Sequence, residues 1–417
     1  MAMTCRMFCG TVLLPDGELA EGAVLVEENR IAAVAPRDIL LPQAEVRDAE
    51  LIEAPPGGYI APGYVDLHVH GGAGADFMDG TAEAFRTVLA AHTRHGTTSC
   101  TPTTTVARHD QILAVLALCR QFKAAGIKAA VEGYHGEPPC ARVLGAHFYG
   151  PYFHPDARGC HPAEPLRPPV AEEFEAYLEF ADAIVTATVA PELPGAEAFA
   201  KACRQRGIRL NAGHSQATFA QVEAAIGWGV AHVDHLFCAM SDKSKLRAKQ
   251  AWPMQGGMLE ATLYFDELTT EVIADGRHLA PDLLRLALKT KGHERLALCT
   301  DCSRALDMPE GEYLFGPSDG GVPFRHEQGV GLMPDGSALA SSAQGMDHMV
   351  RTFMAATHCP AWMAVAMASI TPARIAGVDR QLGSLEAGKL ADLLVLDKDL
   401  NVQAVYIAGQ ACEVRVA

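Results

Sequence analysis

Apolar and polar positions change rhythm twice along this chain. Up to Pro55-Pro56-Gly57-Gly58 the text is short β-rich runs broken by turns. Leu13-Leu14-Pro15-Asp16-Gly17 carries a turn signal, and Ala23–Glu27 and Arg30–Val34 flank Glu28-Asn29. From there to about residue 370, apolar runs alternate with helix-length amphipathic segments. The runs include Gly63–Val69, Thr97–Thr101, Val143–Phe148, Ala183–Ala190, Ile208–Ala212, Val230–Phe237 and Leu296–Thr300. Between them, Thr218 and Gln221 form a capping-box pattern, Phe219, Val222 and Ile226 share a face, and Gly227 and Gly229 stop the helix. Ala82–His95 is expected to end at Gly96 and Asp110–Ala125 at Gly126. After residue 380 strand-like text returns at Gly383-Ser384-Leu385, Ala391–Leu396 and Val402–Gly409.

Strand–helix alternation repeated about eight times predicts parallel βα units, which close most economically into an α/β fold of the (β/α)8 TIM type. An open doubly wound sheet is the alternative, but no run is followed by GxGxxG or GxxxxGK[ST], so its nucleotide-binding form lacks a signature. The β-rich ends predict a small, discontinuous β-sandwich from residues 1–58 and 372–417, with the barrel spanning 59–371.

Composition narrows the partners. Of 417 residues, 49% are hydrophobic and 20% charged, enough apolar mass to exclude global disorder. Lys and Arg total 34 against 50 Asp and Glu, and the resulting charge of −16 argues against nucleic acid as a partner. No apolar run reaches the ~18 residues that span a bilayer, and the N-terminus has no signal-like h-region. No membrane association and a cytoplasmic location are therefore expected. The 12 Cys are scattered, the usage of a reduced protein.

Candidate chemistry sits at the C-terminal ends of the apolar runs, where a barrel builds its site. His68 and His70 are two apart on one strand, so both side chains point to one face and can grip one metal ion. His214, His235 and Asp301 end three later runs. A single His at a strand end is more often a hydrogen-bonded structural residue; five such groups at successive strand ends point to a metal site. Cys299-Thr300-Asp301-Cys302 is a lone CxxC, read as packing rather than as a zinc or redox motif.

The run Pro62–His70 resembles the first strand of the amidohydrolase superfamily, and Gly388–Asp397 (GKLADLLVLD) resembles its C-terminal signature. Segments at Gly71–Asp79, Gly150-Pro151, Gly159–Pro162, Gly213–Ser215, His235–Phe237, Ala239-Met240, Ile273–His278, Thr300-Asp301 and Leu339-Ala340 resemble, in order, the branch of that superfamily that deacetylates N-acetylglucosamine 6-phosphate. The resemblance implies metal-dependent hydrolysis of the acetamido group of an N-acetyl amino sugar, a small-molecule substrate and a homodimer. It implies Asp301 as the proton shuttle and His68, His70, His214, His235 and Asp301 as metal ligands. It places Cys160, His161, Cys238, Ala239, His278, Leu339 and Ala340 against the substrate.

Three positions depart from that pattern. Where the family carries a metal-ligating Glu after His147-Phe148, this chain has Tyr149, a phenol whose ordinary pKa near 10 makes it a costly ligand. One divalent ion per chain is therefore expected, zinc in the first place with iron, manganese or cobalt as alternatives. It would be held by His68, His70, His214 and Asp301, with His235 orienting the attacking oxygen. Cys238 replaces an Asn, and the segment supplying the family's phosphate-binding Arg is replaced by Ser241–Lys249, with Lys243, Lys245, Arg247 and Lys249 as substitute cations or merely a solvated loop. Two rival readings remain: an amidohydrolase with a deaminase-like single metal acting on another N-acyl or cyclic amide, and a sugar-binding barrel without turnover. Retention of Asp301 speaks against the second and Tyr149 for it.

Overall fold

A computed structural model describes residues 5–249 and 252–412. Eight parallel strands form the barrel: Tyr64–Val69, Thr97–Pro102, Ala146–Phe148, Ile184–Val189, Arg209–Ala212, Val230–Val233, Thr269–Ile273 and Leu296–Cys299. Strands three to eight pair in sequence order, and the first pairs with the second. Parallel bridges Thr103–His147 and Val69–Cys302 join the two arcs and close the ring. Tyr64–Val69, Thr97–Pro102 and Ile184–Val189 are buried at every position, as strands covered on one side by helices and filling a barrel on the other must be.

Helix signals in the sequence act locally, with two exceptions. Thr81 caps Ala82–Arg94, whose Phe85, Val88 and Leu89 face the core. The Thr218–Gln221 capping box starts Phe219–Trp228, and Gly229 ends it in the left-handed conformation. One exception is the expected stop at Gly227, which lies inside Phe219–Trp228; the other is Gly126, where the helix runs on from His109 to Glu132. A Cβ at Gly126 would lie 2.8 Å from Arg142 Cγ, so this glycine allows close approach of a neighbouring side chain and does not end the helix. Arg142 in turn makes a buried, bidentate pair with Asp392, at 2.9 and 3.2 Å, tying the barrel to the C-terminal strands.

Both chain ends enter one eight-stranded sheet. Tyr59–Pro62 is its hinge, parallel to Cys5–Leu14 and antiparallel to Leu393–Leu396 with Leu394 opposite Ala61. Strict alternation splits the sheet's faces: Phe8, Val24 and Ile60 pack with Leu393 on one, while Met7, Cys9 and Leu25 pack under Leu40 and Ala44 of the helix Arg37–Val46 on the other. Gly383–Leu385, expected as a strand, is an irregular bend instead, with Gly383 at φ 85°.

Like the helix Arg37–Val46, a further sheet has no counterpart in the sequence reading. After the eighth barrel strand, Gly311–Phe315, Val322–Glu327, Val330–Leu332 and Leu339–Ser342 make a four-stranded, mostly antiparallel sheet over the C-terminal mouth. Its Phe315, Phe324 and Ala340 pack against Cys160. Among the described residues no helix is long and apolar enough to cross a membrane.

Candidate metal centre and substrate pocket

The polar side chains at the barrel mouth are aimed by unusual backbone. His214, His235, Ala239, Asp301 and Ser341 all have positive φ, between 24° and 63°, in the left-handed region that non-glycine residues rarely visit. Such strain persists only where surrounding structure holds it, and it turns these residues inward as their strands end. The first and eighth strands are stitched directly: Asp301 N–H donates to His68 O at 2.9 Å, and His70 N–H to Cys302 O at 3.0 Å. Asp66, fully buried, accepts from Thr300 Oγ1 at 2.6 Å and from the His68 N–H at 3.2 Å.

That stitching brings three donors together. Asp301 Oδ1 lies 3.2 Å from His70 Nε2 and 3.6 Å from His68 Nε2. Ligands on one tetrahedral zinc, each about 2.0–2.1 Å from the ion, stand roughly 3.3 Å apart, so the spacing fits a shared cation. His68 Nε2 is buried with no hydrogen-bond partner, a costly state that a cation would relieve. Two imidazoles and a carboxylate also suit a borderline divalent ion. Burial alone would raise the Asp301 pKa, but His68, His70 and His235 hold it well below the usual carboxylate range. For His68, burial works against the proton, yet Asp301 and Glu271 outweigh it and push the pKa up to about 9.

His214 and His235, expected among the ligands, are engaged elsewhere. His214 Nδ1 must donate to Ala157 O at 2.7 Å, which leaves a lone pair on its Nε2. The Tyr149 hydroxyl donates to that lone pair and accepts from His235 Nε2, 2.6 Å away. Burial pushes the Tyr149 phenol well above its ordinary range, so it stays protonated and able to donate. Phenol and the two imidazole Nε2 atoms thus satisfy one another, and the His68–His70–Asp301 triplet packs against them, with the His68 ring 4.5 Å from that of Tyr149.

A cavity of about 230 Å3 opens above these groups, lined by Cys160, His161, Cys238, Ala239, His278 and Leu339, with Phe315 and Ser341 from the added sheet. This is below the ~300–1,000 Å3 of drug-sized pockets and suits one small ligand. Ala340 does not line it: it is fully buried and packs in the cluster with Cys160, Phe315 and Phe324. His147 does not reach it either. Its Nε2–H donates to Thr188 Oγ1 at 2.8 Å, which donates to Asp234 at 2.6 Å inside the barrel. His278 is held by Asp275, whose Oδ2 lies 2.7 Å from Nδ1, and this carboxylate outweighs burial and raises the His278 pKa. Of the four cations after Ser241, Lys245 donates to Met240 O at 2.7 Å and Lys249 pairs with Asp156 at 3.0 Å.

Sequence reasoning missed Glu271, Asp234, Thr188, Asp275 and Ser341. Asp275 could have been found as the Asp of Asp-Gly-x-His. Glu271 carried only a weak signal, an acid in the middle of the apolar-flanked Thr-Thr-Glu-Val-Ile.

Residues 59–412 match the amidohydrolase family. The chain is 32% identical over 409 residues to an N-acetylgalactosamine-6-phosphate deacetylase of Escherichia coli O157:H7, covering 98% of this chain and 99% of that one. It is 31% identical to the N-acetylglucosamine-6-phosphate deacetylase of Vibrio furnissii, covering 84% and 82% respectively. Among solved structures, a variant N-acetyl-D-glucosamine-6-phosphate deacetylase of Mycobacterium smegmatis, in complex with N-acetyl-D-glucosamine-6-phosphate, matches with a TM-score of 0.84 at 28% identity over 98% of this chain and 99% of that chain. The Pasteurella multocida enzyme of the same name matches at 0.85 and 26% identity, with the same coverage.

Proposed function

The chain belongs to the amidohydrolase family, and from that premise we propose that it hydrolyses the acetamido group of an N-acetylhexosamine 6-phosphate, N-acetylglucosamine 6-phosphate in the first place, to the amino sugar and acetate. The observation that carries this reading is the convergence of His68 Nε2, His70 Nε2 and Asp301 Oδ1 beside a small pocket. A divalent cation held by those three groups, zinc in the first place, would polarise water and lower its pKa towards neutrality. Asp301 takes the proton from the water whose oxygen adds to the acetyl carbon. It then returns that proton to the nitrogen as the C–N bond breaks. His278, fixed through Nδ1 by Asp275, presents its other nitrogen to the sugar, and Leu339 and Phe315 exclude water from the mouth. The Ser241–Lys249 segment continues directly from pocket residues Cys238 and Ala239, which makes its cations the candidates for the phosphate.

The two relatives named above act on sugars that are epimers at one ring hydroxyl, so the test must separate them. Zinc-loaded protein is assayed for acetate release from N-acetylglucosamine, N-acetylgalactosamine and the 6-phosphates of both. Release from a 6-phosphate well above its parent sugar is the expected result. No release from any of the four by metal-replete protein would overturn the reading.

A further inference from the structure

We propose that Glu271 is a positioning residue for the metal centre, holding His68 in the one tautomer that turns its Nε2 lone pair towards His70 and Asp301. The inference rests on the reading that these three residues hold the cation. Glu271 comes from the seventh barrel strand, is 1% exposed and does not line the pocket, so it reaches the site only through His68. Its Oε1 lies 2.7 Å from His68 Nδ1. A carboxylate has no proton to give, so Nδ1 must donate, and the proton that a cation displaces from the ring is the one on Nε2, whose lone pair then faces the ion. That atom is the buried nitrogen without a partner.

A second histidine lies behind the carboxylate. Thr269 Oγ1 donates to Ala231 O at 3.0 Å, so it accepts from His232 Nδ1 at 2.8 Å. This orients His232 with Nε2 at 3.5 Å from the other oxygen of Glu271. Glu271 thus lies buried between two imidazoles, hydrogen-bonded to His68, while His232 Nε2 stands 3.5 Å away without a hydrogen bond. Carboxylate, imidazole and ion in series is an arrangement in which the outer carboxylate sets ring orientation and raises ligand basicity. Nothing in the HxH spacing supplies that function, because it fixes which face the rings share and not which nitrogen is protonated.

The test compares Zn2+ affinity of chelator-stripped protein, by competition titration, in the wild type, Glu271→Gln and Glu271→Asp. Gln keeps the shape, its oxygen still accepting from His68 Nδ1, but removes the charge. Its Zn2+ dissociation constant is expected to rise roughly 10–100-fold, with the far-UV circular dichroism of the metal-free protein unchanged. Asp keeps the charge but withdraws it by one methylene, and is expected to weaken binding as well. Wild-type affinity in Glu271→Gln overturns the proposal; should that variant not fold, wild-type affinity in Glu271→Asp does so. A wild-type protein that takes up no Zn2+ would instead overturn the reading of the metal site on which the proposal rests.

Discussion

Replacing Tyr149 by glutamate should raise the divalent metal content from one ion per chain to two. In the native protein the Tyr149 hydroxyl occupies the space between His214 and His235 and uses the Nε2 lone pair of His214. For a cation to bind there, the phenol must give up its proton. From an ordinary value of 10.0, keeping it ionised at pH 7 costs about 4 kcal/mol. Burial and the Asp301 and Asp234 carboxylates add to that cost. A glutamate is already ionised at pH 7, so the substitution removes a barrier worth at least ~10³ in affinity for the second ion. The assay is elemental analysis of protein equilibrated with Zn2+, supported by calorimetric titration. Tyr149→Phe is the control. There His235 Nε2, 3.2 Å from His214 Nε2, can donate to it directly, so the stability loss should stay near 1 kcal/mol and the stoichiometry at one. Two ions per chain in the unmodified protein would refute the reasoning.

Two further expectations test other parts of the molecule. Asp301→Asn should leave the fold intact, because Asn tolerates the left-handed φ of 43° at this position, while kcat falls by roughly 10²–10⁴; turnover equal to wild type would exclude Asp301 as the shuttle. His95 sits between Asp307 and Asp347 at 2.9 and 3.0 Å, and these carboxylates outweigh burial and raise its pKa from 6.5 to about 9. A raised folded-state pKa stabilises below the unfolded value and loses that benefit as pH rises, so wild type should exceed His95→Gln by up to about 3 kcal/mol near about pH 6, with the gap closing between 6.5 and about 9. Urea unfolding across that range would show it, and a pH-independent gap would contradict it.

Much of this architecture was legible in the sequence because parallel strands buried on both faces leave a distinct record. Gly63–Val69, Ala183–Ala190 and Leu296–Thr300 read as apolar runs, and the structure places barrel strands within each. Helix starts were legible where a side chain caps the backbone locally, as at Thr218. Gly126 misled because one residue type serves two purposes, ending helices and admitting close neighbours, and only the position of Arg142 decides between them. The sheet from Gly311 to Ser342 was illegible because its strands are short and its pattern is broken by glycine and proline.

By itself the sequence determined that polar donors end several barrel strands and that His68 and His70 share a face, since both follow from strand order and period-two geometry. Which donors meet was decided only by the tertiary structure. His68 and Glu271 are 203 residues apart, and Tyr149 lies 65 and 86 residues from His214 and His235. Spacing along a chain carries no information at such separations. Ring closure sets those distances, and hydrogen-bond partners such as Ala157 O then fix which nitrogen of each imidazole carries the proton.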